Sequence, residues 1–242
     1  MLLHAFPLNA RMWEPQLDLA AGGWRIIAPH FRGFDGGDAK PPIVAIDDYV
    51  GDVIDVLDSL HVHEAVVVGL SMGGYVALAM VRHTPRYLQA LVLADTRPQA
   101  DTPEGVDGRK RLIALAEKEG AGAIAAEMLP RLLGDTTLRA RPAVVESVRG
   151  LVTSNSPEAI AGALHAMMTR PDSTALLPKI HIPTLVMVGD EDRVTPPAVA
   201  EEMHHAIGGS DFAVVPRAGH LSNLENVEAF NNALADFLAH RV

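Results

Sequence analysis

The chain has 242 residues, 48% of them hydrophobic and 21% charged, which is ample for one domain with a sizeable core and an inserted subdomain. Its formal net charge of −10 argues against nucleic-acid and anionic-membrane partners, since both recruit basic patches. The absence of cysteine excludes disulfides, thiolate metal sites and a cysteine nucleophile, and is compatible with a reducing cytoplasm, the expected location.

Met1-Leu2-Leu3-His4 offers neither a basic n-region nor an apolar h-region, so no signal peptide is expected. Residues 2–7 read as a chain that begins inside a strand. Residues 15–21 form a short predicted helix ended by Gly22-Gly23, and residues 24–29 read as the next strand. A glycine-dense loop covers residues 31–38. Between 46 and 60, Ile46, Val50, Val53, Ile54 and Leu57 follow helical spacing. The longest uncharged run, 65–81, approaches membrane-span length, but its Gly-x-Ser-x-Gly-Gly interruption makes it a buried strand (65–68) and a buried helix (71–82). Residues 88–94 are another strand. Strands that are apolar on both faces and alternate with helices predict an α/β fold, a mainly parallel sheet covered by helices on both sides.

From 97 to 178 the alternation stops. Helical stretches are predicted near 106–119, 121–133, 140–152 and 157–169, and no Phe, Tyr or Trp lies between Tyr87 and Phe212. An all-helical segment between sheet strands reads as a cap over the strand ends, splitting the core into residues 1–96 and 179–242. Met128, Leu132 and Met167 are the candidates for an aliphatic substrate wall, although methionine at helical spacing more often fills core. The sheet pattern returns at 184–188, followed by Gly189-Asp190-Glu191-Asp192. Thr195 then reads as a helix N-cap, with Pro196 in the first helical position. A last strand (211–215), the loop 216–220 and an amphipathic helix (227–239) close the chain.

The chemistry centres on Gly69-Leu70-Ser71-Met72-Gly73, which fits the G-x-S-x-G nucleophile elbow between a strand and a helix. A Cβ at position 69 or 73 would crowd so tight a turn. A serine hydroxyl needs a base to take its proton, and the base needs a carboxylate to hold its tautomer. Ser71, Asp192 and His220 all follow strand ends, which gather on one edge of an open α/β sheet, and they occur in the order nucleophile, acid, base. His220 alone among the histidines follows a strand through a glycine and precedes a helix. The clusters His61-Val62-His63 and His204-His205 lack a third placed ligand and read as surface residues, so no metal site is expected. Asp95, Asp190 and Glu191 compete for the acid role; Asp192 is favoured because it lies deeper in its loop. Two N–H donors are needed for an oxyanion, and Met72 and Phe6 are the candidates, Pro7 having no N–H to offer. The Phe6 side chain would wall the pocket beside the scissile bond.

These residues resemble the α/β-hydrolase superfamily, in particular the small capped esterases and lactonases that include 3-oxoadipate enol-lactonases and the cofactor-free haloperoxidase or perhydrolase group. The resemblance runs nearly end to end, through Leu3-His4-Ala5-Phe6-Pro7-Leu8, Arg32-Gly33-Phe34, Gly69 to Gly74, Gly189 to Pro196, and Ala218-Gly219-His220 with Glu225. It implies Ser71 as nucleophile, His220 as base, Asp192 as acid, and Phe6 and Met72 as oxyanion donors, with no cofactor. The chain departs from the family pattern at Ala5, where glycine is usual, and at His30, where aspartate is usual. A displaced Gly36-Gly37 stands near the end of that loop. The two strands that usually precede the first are missing, which implies either a truncated N-terminus or a smaller sheet whose exposed edge would favour a homodimer. The expected activity is hydrolysis of a small carboxylic ester through an acyl-enzyme. Lactone opening, peroxide-dependent chemistry and a non-enzymatic ligand receptor are the alternatives.

Overall fold

Five parallel strands, β1 (Leu2–Leu3), β2 (Ala65–Leu70), β3 (Leu88–Ala94), β4 (Thr184–Gly189) and β5 (Asp211–Val215), lie side by side in sequence order in the computed structural model, which describes residues 1–37, 40 and 42–242. Leu3 pairs with Gly69, Gly69 with Leu93, Ala94 with Met187, and Gly189 with Val215, so the carboxyl ends of all five strands share one edge. Every residue of β2 and β4 is buried, as expected of strands covered on both faces. Helices α1 (Ile46–Ser59) and α2 (Met72–His83) follow the predicted apolar spacing closely, and α1 buries Ile46, Val50, Val53 and Leu57.

Between β3 and β4 the described residues contain only helix and loop. Here run α3 (Pro103–Leu132), α4 (Asp135–Ala140), α5 (Pro142–Thr153) and α6 (Pro157–Thr169), followed by a short 3-10 segment, Thr174–Lys179. The two predicted helices 106–119 and 121–133 are one helical run broken at Gly120, whose φ of 78° is a left-handed conformation open to glycine. Helix α4 was not expected: six residues are too few to show a hydrophobic period. Past β4 come α7 (Pro197–Ala206), α8 (Ser222–Glu225) and α9 (Val227–Arg241). No helix among the described residues is long and apolar enough to cross a membrane.

Two local expectations are corrected. Residues 24–29 are not a strand. They lie beside β1 and give it one backbone hydrogen bond, from Leu2 N to Ile27 O (2.8 Å), too few for a ladder. The predicted helix at 15–21 is a longer 3-10 helix, Ala10–Gly22, capped at its start by Asn9 Oδ1 accepting from Arg11 N, and at its end by Gly23 with φ 90°. Part of the predicted glycine loop, Asp38, lies outside the described residues.

Candidate active site

Ser71 stands between the last residue of β2 and the first of α2 with φ 54° and ψ −112°, a region that side-chain-bearing residues rarely occupy. Four hydrogen bonds hold its backbone there: Ser71 N donates to Ala94 O (3.0 Å), while Ser71 O accepts from Gly74 N (2.9 Å), Tyr75 N (3.3 Å) and Thr96 Oγ1 (2.8 Å). The expected crowding at the elbow is present. A Cβ on Gly69 would lie 2.4 Å from Gly73 O, and one on Gly73 would lie 2.1 Å from Leu3 O. Only glycine lets α2 sit this close to β1 and β2.

His220 follows β5 through Ala218 and Gly219. Its Nε2 lies 2.8 Å from Ser71 Oγ and its Nδ1 lies 2.8 Å from Asp192 Oδ2, all three side chains being buried. Because Nδ1 faces a carboxylate it carries the ring proton, leaving Nε2 to accept from the serine hydroxyl. Burial alone would push His220 down, but the Asp192 charge and hydrogen bond outweigh it and hold the imidazole above its ordinary value of 6.5. Burial alone would raise Asp192. The facing histidine and its hydrogen-bond donors reverse that and place it below the ordinary carboxylate value.

The competing acids have other partners. Asp190 Oδ1 accepts from Ala218 N (3.2 Å), Glu191 Oε2 from Thr136 N (2.8 Å), and Asp95 Oδ1 from Gly189 N (2.8 Å). Asp192 is anchored by Val194 N (2.7 Å) and Thr195 N (3.0 Å) on Oδ1, and by Thr195 Oγ1 (2.6 Å) on Oδ2. Thr195 is therefore not the N-cap expected from sequence. Helix α7 begins at Pro197 with Pro196 before it, and the threonine hydroxyl is drawn to the carboxylate instead.

Glu225 fixes the histidine loop. Its Oε1 accepts from Gly219 N (2.9 Å) and Leu221 N (3.2 Å), and its Oε2 accepts from Gly134 N (2.8 Å) of the helical segment. His220 N itself donates to Leu132 O (2.9 Å), and a Cβ on Gly219 would lie 2.3 Å from Gly134 N. Burial raises the Glu225 carboxyl above its ordinary value against the pull of these donors.

The two candidate oxyanion donors flank the serine in the chain and the sheet. Met72 is the first residue of α2, where a backbone N–H has no acceptor within the helix. Phe6 lies three residues past Leu3, and Leu3 is paired with Gly69, so Phe6 belongs to the same strand end as Ser71; its N–H makes no hydrogen bond among the described residues. His4 supports this loop. Its Nδ1 donates to Ala5 O (3.0 Å), its Nε2 accepts from Phe31 N (3.0 Å), and its ring packs 4.4 Å from Phe31 and 5.0 Å from Phe34, centroid to centroid. Full burial pushes His4 down to about 3, so the ring is neutral. Asn155, at the end of α5, braces the next residue by donating to Pro7 O (2.8 Å) and accepting from Asp35 N (2.9 Å).

Of the residues expected to wall a pocket, Phe6, Leu132 and Met167 are buried, and Met128 is half-buried on α3. Leu132 meets the histidine directly through its carbonyl, whereas the Met167 sulfur sits 3.3 Å from Arg109 Nη1. His204 stacks on Phe212 and bonds Ser210 Oγ (2.8 Å), which makes it part of the packing around β5, while His205 is exposed.

A sequence model described as the alpha/beta hydrolase family matches residues 1–233. This chain belongs to that family. As an alpha/beta hydrolase it is 27% identical over 226 residues to 3-oxoadipate enol-lactonase 2 of Acinetobacter baylyi, covering 93% of this chain and 83% of that protein. The solved structure of a thermophilic esterase from Thermogutta terrifontis, malate bound, is 39% identical with a TM-score of 0.95, covering 98% of this chain and 88% of that one. The enol-lactonase from Burkholderia xenovorans is 28% identical with a TM-score of 0.90, over 99% of this chain and 90% of that chain. Family membership makes this hydrolase a relative of esterases and lactonases. Sequence reasoning passed over Asn155, whose partner Pro7 lies 148 residues away, and gave Thr195 and Asp95 other roles, a helix cap and a rival acid.

Proposed function

We propose that this alpha/beta hydrolase cleaves small carboxylic esters through an acyl-enzyme on Ser71. The carrying observation is the position of His220, 2.8 Å from Ser71 Oγ on one ring nitrogen and 2.8 Å from Asp192 Oδ2 on the other. In this reading His220 Nε2 takes the hydroxyl proton as Ser71 Oγ attacks the ester carbonyl. The oxyanion that forms is met by the N–H groups of Phe6 and Met72, each such donor typically contributing about 3 kcal/mol. His220 then gives the proton to the leaving alcohol, the acyl group stays on Ser71, and water deprotonated by His220 releases the acid. The imidazolium is stabilised throughout by Asp192, whose carboxylate Thr195 and two backbone N–H groups keep ionised.

Residues 97–178 act in this reading as a cap over the strand ends, with Met128, Leu132 and Met167 giving an aliphatic wall and Phe6 an aromatic one beside the scissile bond, suited to a neutral acyl group. Opening of a lactone is the same chemistry on a cyclic ester, and the enol-lactonase relatives favour keeping it as the second reading. The test treats the parent and Ser71→Ala with a fluorophosphonate and weighs both intact. One adduct on the parent and none on the variant is expected, followed by turnover of p-nitrophenyl esters or lactones; their relative kcat/KM separates the two substrates. A well-folded parent that takes no adduct overturns the assignment.

A further inference from the structure

Asp95 is a fully buried carboxyl group beside the site with no part in the chemistry above. It follows β3 directly with φ 44°, is 0% exposed, and touches both loops that carry the other residues. Its Oδ1 accepts from Gly189 N (2.8 Å), three residues before Asp192, and its Oδ2 is hydrogen-bonded to Ser222 Oγ, two residues after His220. Among the described residues the charged groups that bear on it are Asp192 and His220, one on each loop, and His220 is already engaged by Asp192.

An ionised carboxylate in this place would be a second negative charge in a water-poor pocket, with an N–H and a hydroxyl as its partners and no cation of its own. Such a charge is costly, whereas the protonated acid satisfies both contacts: one oxygen accepts from Gly189 N and the O–H donates to Ser222 Oγ. We propose that Asp95 is a positioning residue, a neutral hydrogen-bonding clamp that holds the Asp192 loop and the His220 loop in register behind Ser71. This rests on the esterase reading of the same site. Burial first, and the Asp192 charge second, push Asp95 up to about 8, so the clamp keeps its proton at neutral pH and loses it in mildly alkaline solution. The new charge would then repel Asp192 and raise His220 further, and both effects lower turnover above that pH.

Asp95→Asn copies the neutral clamp, its amide oxygen accepting from Gly189 and its NH2 donating to Ser222. Asp95→Ala removes it. With p-nitrophenyl acetate as probe, Asp95→Asn is expected to keep kcat at pH 7 within about threefold of the parent, since both hydrogen bonds survive. It should also lose the parent's decline above pH 8. Asp95→Ala should lower kcat about 10- to 100-fold with KM little changed, the penalty of a slightly misplaced base. Ser222→Ala, which cuts one arm of the clamp, should lower kcat about fivefold, and it takes the place of Asp95→Ala if that variant does not fold. Equal losses in folded Asp95→Asn and Asp95→Ala would show that the charge is needed and overturn the proposal. So would an unchanged kcat in Asp95→Ala or, in its stead, Ser222→Ala. Fluorophosphonate labelling of the parent is read first: its absence defeats the esterase reading itself, and its presence leaves these comparisons to judge Asp95 alone.

Discussion

The neutral, buried His4 makes the stability of the molecule depend on pH in a way that can be worked out. Its Nε2 lone pair is committed to Phe31 N and its Nδ1 proton to Ala5 O, so a second proton has no acceptor and would face an N–H donor. The folded state holds His4 at about 3 against 6.5 for a free imidazole. A group depressed in this way contributes stability that is fully present above pH 6.5 and is lost as pH falls toward the folded value. At pH 5 the unfolded chain is favoured by the proton it binds at this residue, a loss of about 2 kcal/mol. For a chain of this size that amounts to a fall in Tm of about 4–8 °C. His4→Gln keeps an acceptor for Phe31 N and cannot titrate in this range. Urea unfolding of parent and variant across pH 5 to 7.5 isolates the effect from the carboxylates they share. The variant is less stable at pH 7.5, and the gap should narrow by about 2 kcal/mol on going to pH 5. A gap that stays constant over that range would refute the neutral-clasp account of this histidine. Because His4 shapes the loop that presents the Phe6 N–H, the variant's loss of kcat should exceed its rise in KM.

Two further outcomes follow from the site. Asp192→Asn should lower kcat about 10³- to 10⁴-fold, and the acid limb of the residual kcat/KM profile should shift down from above 6.5, because the carboxylate is what holds His220 up; an unmoved limb would assign the acid elsewhere. Gly73→Ala puts a methyl 2.1 Å from Leu3 O, against backbone that cannot step aside, and should cost at least about 3 kcal/mol in unfolding. An unchanged unfolding midpoint would mean that α2 can lift off β1.

Ser71 and His220 were legible in the sequence because glycines mark where chemistry-bearing residues leave strand ends, and such turns are local. The alternation of strand and helix was legible for the same reason, down to the bounds of β3 and α6. The choice of Asp192 over Asp95, Asp190 and Glu191 rested on its depth in the loop alone, because the contact that separates them reaches across to a loop 28 residues away. Thr195 obeyed a sound local rule, threonine before proline at a helix start, and lost to a stronger partner, the Asp192 carboxylate. Residues 24–29 have the composition of a strand but share a single backbone bond with β1. The tie of Glu225 to the helical segment and the bracing by Asn155 arise from partners 91 and 148 residues distant, a separation that no window of sequence reports.

The join between Leu132, Gly134 and the histidine loop has a consequence for anyone exchanging the helices of this enzyme with those of a relative. His220, the base of the proposed mechanism, takes its backbone position from Leu132 O, and the close pair Gly134–Gly219 leaves room for no other residue on either side. A chimera that imports α3 through α6 wholesale would replace part of the mould in which His220 is cast, however well its new pocket suited a new substrate. Splice points placed on either side of residues 132–134, with Glu225 retained, would let specificity be transplanted while the base stays where Ser71 needs it.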